Sequence, residues 1–91
     1  MALKENKSDN VGTVLQDIVA GSNVLVKEEN NNWSVTALQL IPRGHKIALS
    51  DIKEGGFVIK YGEIIGIATK NIKAGEWVHI HNIKSNRSKI R

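Results

Sequence analysis

Three stretches of this chain share one pattern, and the pattern leaves little freedom for the fold. They are VLQDIVAGSNV (14–24), ALSDIKEGGFV (48–58) and ATKNIKAGEWV (68–78). Each runs from a small or branched apolar residue to Asp or Asn, then Ile, two residues, Gly, two residues and Val. The aligned positions are Asp17, Asp51 and Asn71, then Ile18, Ile52 and Ile72, then Gly21, Gly55 and Gly75. A strand ends at the Asp or Asn, whose side chain can bond to the backbone two residues on. The Ile packs inward and anchors the loop. The Gly supplies a positive φ where a Cβ would clash, and the Val opens the next strand. The copies are unevenly spaced, which argues against a solenoid. Sharp corners in so short a chain predict a mostly-β domain of short, abruptly turned strands.

The intervening sequence agrees. VTALQL (35–40) and EIIGIAT (63–69) are rich in strand-forming residues. KYGE (60–63) reads as a turn with Gly62 as its permissive residue, and Gly66 marks a bulge or a close backbone approach. Pro42 keeps Ile41 extended and opens the turn IPRGH. The longest helical candidate, around 35–41, is short and mixed with Val and Thr. KEENNNW (27–33) reads as a solvated loop tip. The expected organisation is a flexible segment over 1–9, one domain over 10–83 and a basic tail over 84–91.

Bulk properties narrow the function classes. A chain of 91 residues buries a modest core, so a partner chain is expected. The net charge of +4 comes largely from Lys84, Arg87, Lys89 and Arg91, and the remaining charges are interleaved. With few aromatic residues for base stacking, that pattern argues against nucleic acid. No apolar run approaches the ~18 residues that span a bilayer, and the polar start lacks a secretory h-region. Cysteine is absent, which removes disulfide and thiolate chemistry and fits a reducing cytoplasm.

The chemistry-bearing residues gather late in the chain. In VHIHN (78–82), strand alternation places His79 and His81 on one face, and Val78 and Ile80 on the other. Their Cβ atoms would then lie roughly 6.5–7 Å apart, a spacing that suits two imidazoles flanking one ligand or ion. The same spacing is equally that of a polar outer face, since a metal site needs three or four ligands. Asn82 adds a hydrogen-bonding group. His45, in PRGH, stands beside Arg43, a guanidinium suited to anions, or it is simply a solvated turn residue. Lys60 and Tyr61 complete the set of groups able to act as acid or base. No catalytic triad and no phosphate loop is present, so the chain alone is not expected to be a complete enzyme.

The motifs GHKIAL (44–49), VIKYGE (58–63), IGIAT (65–69) and VHIHN (78–82) closely resemble those of the altronate and galactarate dehydratases' N-terminal domain. They equally resemble the small subunit of sulfolactate sulfo-lyase. These are SAF domains, and the resemblance implies a β-clip fold over roughly residues 10–83. It further implies a role beside a large catalytic subunit or domain. The implied reaction is β-elimination: loss of the proton α to a carboxylate and of hydroxide, or sulfite, from the adjacent carbon. By the same resemblance the assembled enzyme uses Fe2+ or Mn2+, with His79 and His81 as catalytic or metal-binding residues and His45, Arg43, Lys60, Tyr61 and Asn82 as substrate contacts. A sugar acid such as altronate is the first substrate reading and sulfolactate the second. A non-catalytic binding or assembly module is the third, and self-association through an apolar face is expected where the partner is missing.

Overall fold

The repeat closes on itself in pairs. In a computed structural model that describes residues 1–85, Ile18 bridges Ile41 and Ile52 bridges Ile72, each antiparallel. Each bridge is two backbone hydrogen bonds of 2.7–2.9 Å. Ile41 reveals a fourth copy, Ile41-Pro-Arg-Gly44-His-Lys-Ile47, which lacks the leading Asp or Asn because Leu40 stands there. Gly21, Gly44, Gly55 and Gly75 all have positive φ, between 83° and 96°. Each of these glycines donates its N–H to the residue four before its partner's Ile: Ala37, Val14, Ala68 and Ala48 in turn. The polar leaders cap the opposite turn. Asp17 accepts from the Arg43 N–H, Asp51 from Ala74 and Asn71 from Glu54, at 2.8–2.9 Å.

Among the described residues there are nine strands: β1 (Ala2–Leu3), β2 (Val11–Val14), β3 (Asn23–Glu28), β4 (Asn31–Thr36), β5 (Lys46–Ala48), β6 (Phe57–Lys60), β7 (Glu63–Ala68), β8 (Trp77–Val78) and β9 (Ile83–Ser85). Six form one sheet in the order β4-β3-β1-β2-β5-β8, and three form a second, β6-β7-β9. No helix occurs among the described residues, as the mostly-β reading expects. Residues 35–41 are not helical: β4 runs to Thr36, and Ile41 is drawn off into its bridge.

Strand β5 is the wall between two cores. Alternation sends Ile47 and Leu49 into a cluster with Val14, Val24, Val26 and Ile41. Ala48 enters a second cluster with Val11, Val58, Ile72 and Val78. Asn10 stitches the two sheets together. Its side chain donates to the Phe57 carbonyl and accepts from the Ile59 N–H, and its own N–H donates to the Ile59 carbonyl.

Three features differ from the sequence reading. Residues 1–9 were expected to lie outside the domain, yet Ala2–Leu3 is inserted between β2 and β3, and Ala2 is fully buried. A two-residue strand is too short to show any periodicity, so its pairing could not be read. The KEENNNW stretch is a tight β3–β4 hairpin turning at Glu29–Asn30, tied by a Trp33 Nε1–H bond to Glu28. The basic tail begins inside β9 at Lys84, and beyond Ser85 it lies outside the described residues. Gly66 meets both halves of its expectation: the register slips between Val58 and Ile59, and a Cβ there would stand 2.8 Å from the Lys84 carbonyl oxygen.

Candidate functional site

The ladder between β5 and β8 builds the site. It pairs Ile47 with Trp77 and Lys46 with Val78, so the next residues outward, His45 and His79, meet beyond the strand ends. Their ring centroids are 4.8 Å apart. Trp77 ties the group together. It stacks on His79 at 5.6 Å and 9°, meets His45 edge-on at 5.5 Å and touches His81 at 5.2 Å. Its Nε1–H donates to His45 Nδ1 at 3.1 Å. A neutral imidazole accepting at Nδ1 carries its proton on Nε2, so His45 presents an N–H outward.

The two histidines of VHIHN reach this site by a route other than strand alternation. Strand β8 ends at Val78, and residues 79–82 form a turn in which the Asn82 and Ile83 N–H groups donate to the His79 carbonyl. Asn82 enforces it. Its side-chain oxygen accepts from the His79 N–H and its Nδ2 donates to the Trp77 carbonyl, so the buried amide is spent on structure. Ile80, expected in the core beside Val78, is instead 82% exposed. Alternation assumed a strand that the Asn82 turn cuts short.

Electrostatically the site is one-signed. His79 titrates below the ordinary histidine range, first through desolvation and then through His45, Lys46 and His81. Lys46 is likewise lowered, by burial first and by Lys60 second. Every charged neighbour that acts on either group is basic. Lys60 also lies 3.7 Å over the Tyr61 ring. Tyr61 has a positive φ of 56°, held because Asp9, itself buried, accepts from the Tyr61 and Gly62 N–H groups. Arg43 is exposed on the Gly44 turn, and its N–H is capped by Asp17.

The histidines do not amount to a metal site by themselves. No group of three His, Cys, Asp or Glu side chains among the described residues is placed to share an ion. His45 has already committed Nδ1 to Trp77, and Asn82 has committed both of its polar atoms. At most two imidazoles remain, short of the usual three or four ligands.

Sequence reasoning found His45, His79 and His81 and missed Trp77 and Lys46. The missing signal was the fourth copy of the repeat. Aligning it puts Lys46 and Trp77 at the same place, two residues after the glycine, where each opens one of the strands β5 and β8 that pair.

Comparison with known proteins follows the same residues. A match to the altronate/galactarate dehydratase SAF domain covers residues 1–86. The chain is 44% identical over 88 residues to the altronate dehydratase of Escherichia coli (strain K12), covering 97% of this chain and 17% of that protein. It is 42% identical to the altronate dehydratase of Bacillus subtilis (strain 168), again covering 17% of that protein. Against (2R)-sulfolactate sulfo-lyase subunit alpha of Chromohalobacter salexigens the identity is 37%, over 87% of both chains. The chain thus spans about a sixth of the dehydratases and most of the sulfo-lyase subunit.

Proposed function

The chain belongs to the altronate/galactarate dehydratase SAF domain family, and on that premise we propose that it is the small partner of a cytoplasmic sugar-acid dehydratase. It would work beside a large catalytic subunit or domain, as the length of its dehydratase relatives suggests. The observation that carries this reading is the cluster of His45, His79 and His81 around Trp77, in which the charged groups lowering the His79 pKa are all basic.

The chemistry suits the reaction. Dehydration removes the proton α to the carboxylate and expels hydroxide from the β-carbon, which leaves as water. The enol that results becomes a ketone. A histidine held below its ordinary pKa is neutral near pH 7 and can take up a proton, the role assigned to His79. His45 Nε2–H can donate to a substrate oxygen, and His81 stands ready on the same indole. Arg43, Lys60 and Tyr61 are assigned to binding the acid. Asn82 is reassigned from substrate contact to holding the histidine turn. The Fe2+ or Mn2+ proposed for the assembled enzyme would draw its ligands chiefly from the catalytic partner, because the described residues hold no full set.

A second reading is supported by the match over most of the sulfo-lyase alpha subunit: the same site would serve release of sulfite from sulfolactate. Reconstitution with a large dehydratase-type subunit decides, using altronate, galactarate and sulfolactate with and without Fe2+ or Mn2+. Activity is expected from the complex and from neither part alone. His79→Ala or His81→Ala should lower turnover at least tenfold, about 1.4 kcal/mol of transition-state stabilisation, with assembly intact. Full activity of the double variant would reduce the chain to a binding or assembly module.

A further inference from the structure

Lys46 stands where a lysine is out of place. It opens β5, flanked in register by Thr13 of β2 and Val78 of β8. Residues directly opposite on antiparallel strands share a face. Thr13, Lys46 and Val78 therefore form one row, on the side of β5 that Ala48 uses to enter the second core. Strand β6 covers that side. Val58 of β6 is fully buried in the same core, and Lys60, two residues on, extends from the same face of its strand. The two lysines thus leave opposite walls of the seam between the sheets, and Lys60 adds to burial in lowering the Lys46 pKa. His79 borders them, since Lys46 acts on it in turn.

Neither charge meets a carboxylate among the described residues, and Lys60 rests its Nζ over the Tyr61 ring. Among the described residues Lys46 has no ion-pair partner, and the ion pair found is remote, between Lys4 and Glu28. Thr13 adds a second unspent group: its hydroxyl is buried and makes no hydrogen bond. Holding cations together, half-buried and without a counter-ion, costs free energy that surface positions would avoid. An uncompensated hydroxyl in the same row adds to that cost. A single bound anion would relieve both.

We propose that Lys46 and Lys60, with Thr13 beside them, form a seat for the carboxylate of a small hydroxy-acid ligand. The identity of the ligand as a hydroxy acid rests on the function proposed above, whereas the anion seat does not. The seat lies across β5 from the rings of His45 and Trp77 and adjoins His79 at the strand ends. A carboxylate held at Lys46 would reach the imidazoles only around the strand ends, where Val78, the register partner of Lys46, gives way to His79. Lys46 is therefore assigned as a positioning residue for the acid end of the substrate, which the histidines themselves cannot grip with a fixed charge.

The test uses the 91-residue chain itself, isotopically labelled, titrated with galactarate and, separately, with galactitol, which has the same carbon skeleton without charge. Galactarate should shift the amides of Thr13, Lys46, Lys60 and Val78 and raise the Lys46 titration midpoint. Galactitol, and sodium chloride at matched ionic strength, should not. Lys46→Met and Lys60→Met keep the aliphatic stems and should each weaken galactarate binding at least fivefold, while Lys46→Arg should retain most of it. Equal response to galactitol, unchanged affinity in both Met variants, or shifts confined to other residues would overturn the seat. In a reconstituted complex, Lys46→Met should raise KM at least fivefold with kcat within twofold. A complex with no lyase activity would remove the proposed function yet leave the galactarate titration decisive for the seat. Loss of assembly in Lys46→Met with no galactarate binding would give the seat to a partner carboxylate, against this proposal.

Discussion

Gly21 and Gly75 form a matched pair for measuring what the corner repeat costs to disturb. Their φ angles are nearly the same, 90° and 96°. Alanine at either position must adopt a left-handed backbone, an expense of about 1–2 kcal/mol for an L-residue. The surroundings then differ. A Cβ on Gly21 would meet no atom within 4 Å, whereas one on Gly75 would overlap the Thr36 carbonyl oxygen and lie 3.2 Å from Leu38 Cγ. Thr36 cannot step aside freely. Just beyond it the Leu38 N–H donates to the Gly75 carbonyl at 2.9 Å, and the Gly75 N–H donates to Ala48 at 2.8 Å. Relieving the overlap would stretch one of these buried bonds, adding about 1–3 kcal/mol. Gly21→Ala should therefore cost about 1–2 kcal/mol and Gly75→Ala about 2–5 kcal/mol. For a domain of this size the thermal midpoints should fall by about 4–16 °C and at least ~8 °C respectively. Urea unfolding followed by tryptophan fluorescence measures both, and Trp77, two residues beyond Gly75, also reports on the histidine cluster. If Gly75→Ala lost no more stability than Gly21→Ala, the close approach of the Thr36 carbonyl would not constrain the corner.

Two other expectations follow from single groups. His79 has a lowered folded pKa, so the unfolded chain binds its proton more readily; the stability linked to it is whole above pH 6.5 and declines as pH falls through its lower folded value. Proton NMR of the three histidines should find His79 titrating below 6.5, and a midpoint at or above that value refutes the placement of the cationic neighbours. Asp9→Ala removes the acceptor for the N–H groups of Asn6, Tyr61 and Gly62, and should cost about 2–3 kcal/mol in chemical unfolding. A loss below ~0.5 kcal/mol would mean that the left-handed Tyr61 turn holds without its carboxylate clamp.

The corners were legible because a buried Ile and a permissive Gly lie within a few residues, but their caps were not: the Asp or Asn bonds to the opposite turn and not, as expected, to backbone two residues on. The histidines were legible as residues but not as geometry, because the turn that gathers them depends on Asn82 accepting from the His79 N–H. Strand β1, Lys46 and Trp77 were hidden for another reason: their meaning lies in cross-strand register, which a sequence does not print. The fourth corner was hidden by one residue. Leu40 occupies the place of Asp17, Asp51 and Asn71, so the Ile18–Ile41 pair is capped on one side only, through Asp17 and the Arg43 N–H. In the Ile52–Ile72 pair both caps exist, from Asp51 to Ala74 and from Asn71 to Glu54. If the copies are equivalent, the group left uncapped is the Ala20 N–H, two residues after Ile18 just as Ala74 and Glu54 follow theirs. Leu40 is 56% exposed, so replacing it forfeits little buried area. Leu40→Asp should supply the missing acceptor and stabilise the domain by about 1 kcal/mol, a rise of about 4–8 °C in thermal midpoint. Leu40→Ala, which offers no acceptor, should give no such rise. A midpoint for Leu40→Asp at or below that of Leu40→Ala would show that the first pair of corners is built differently from the second.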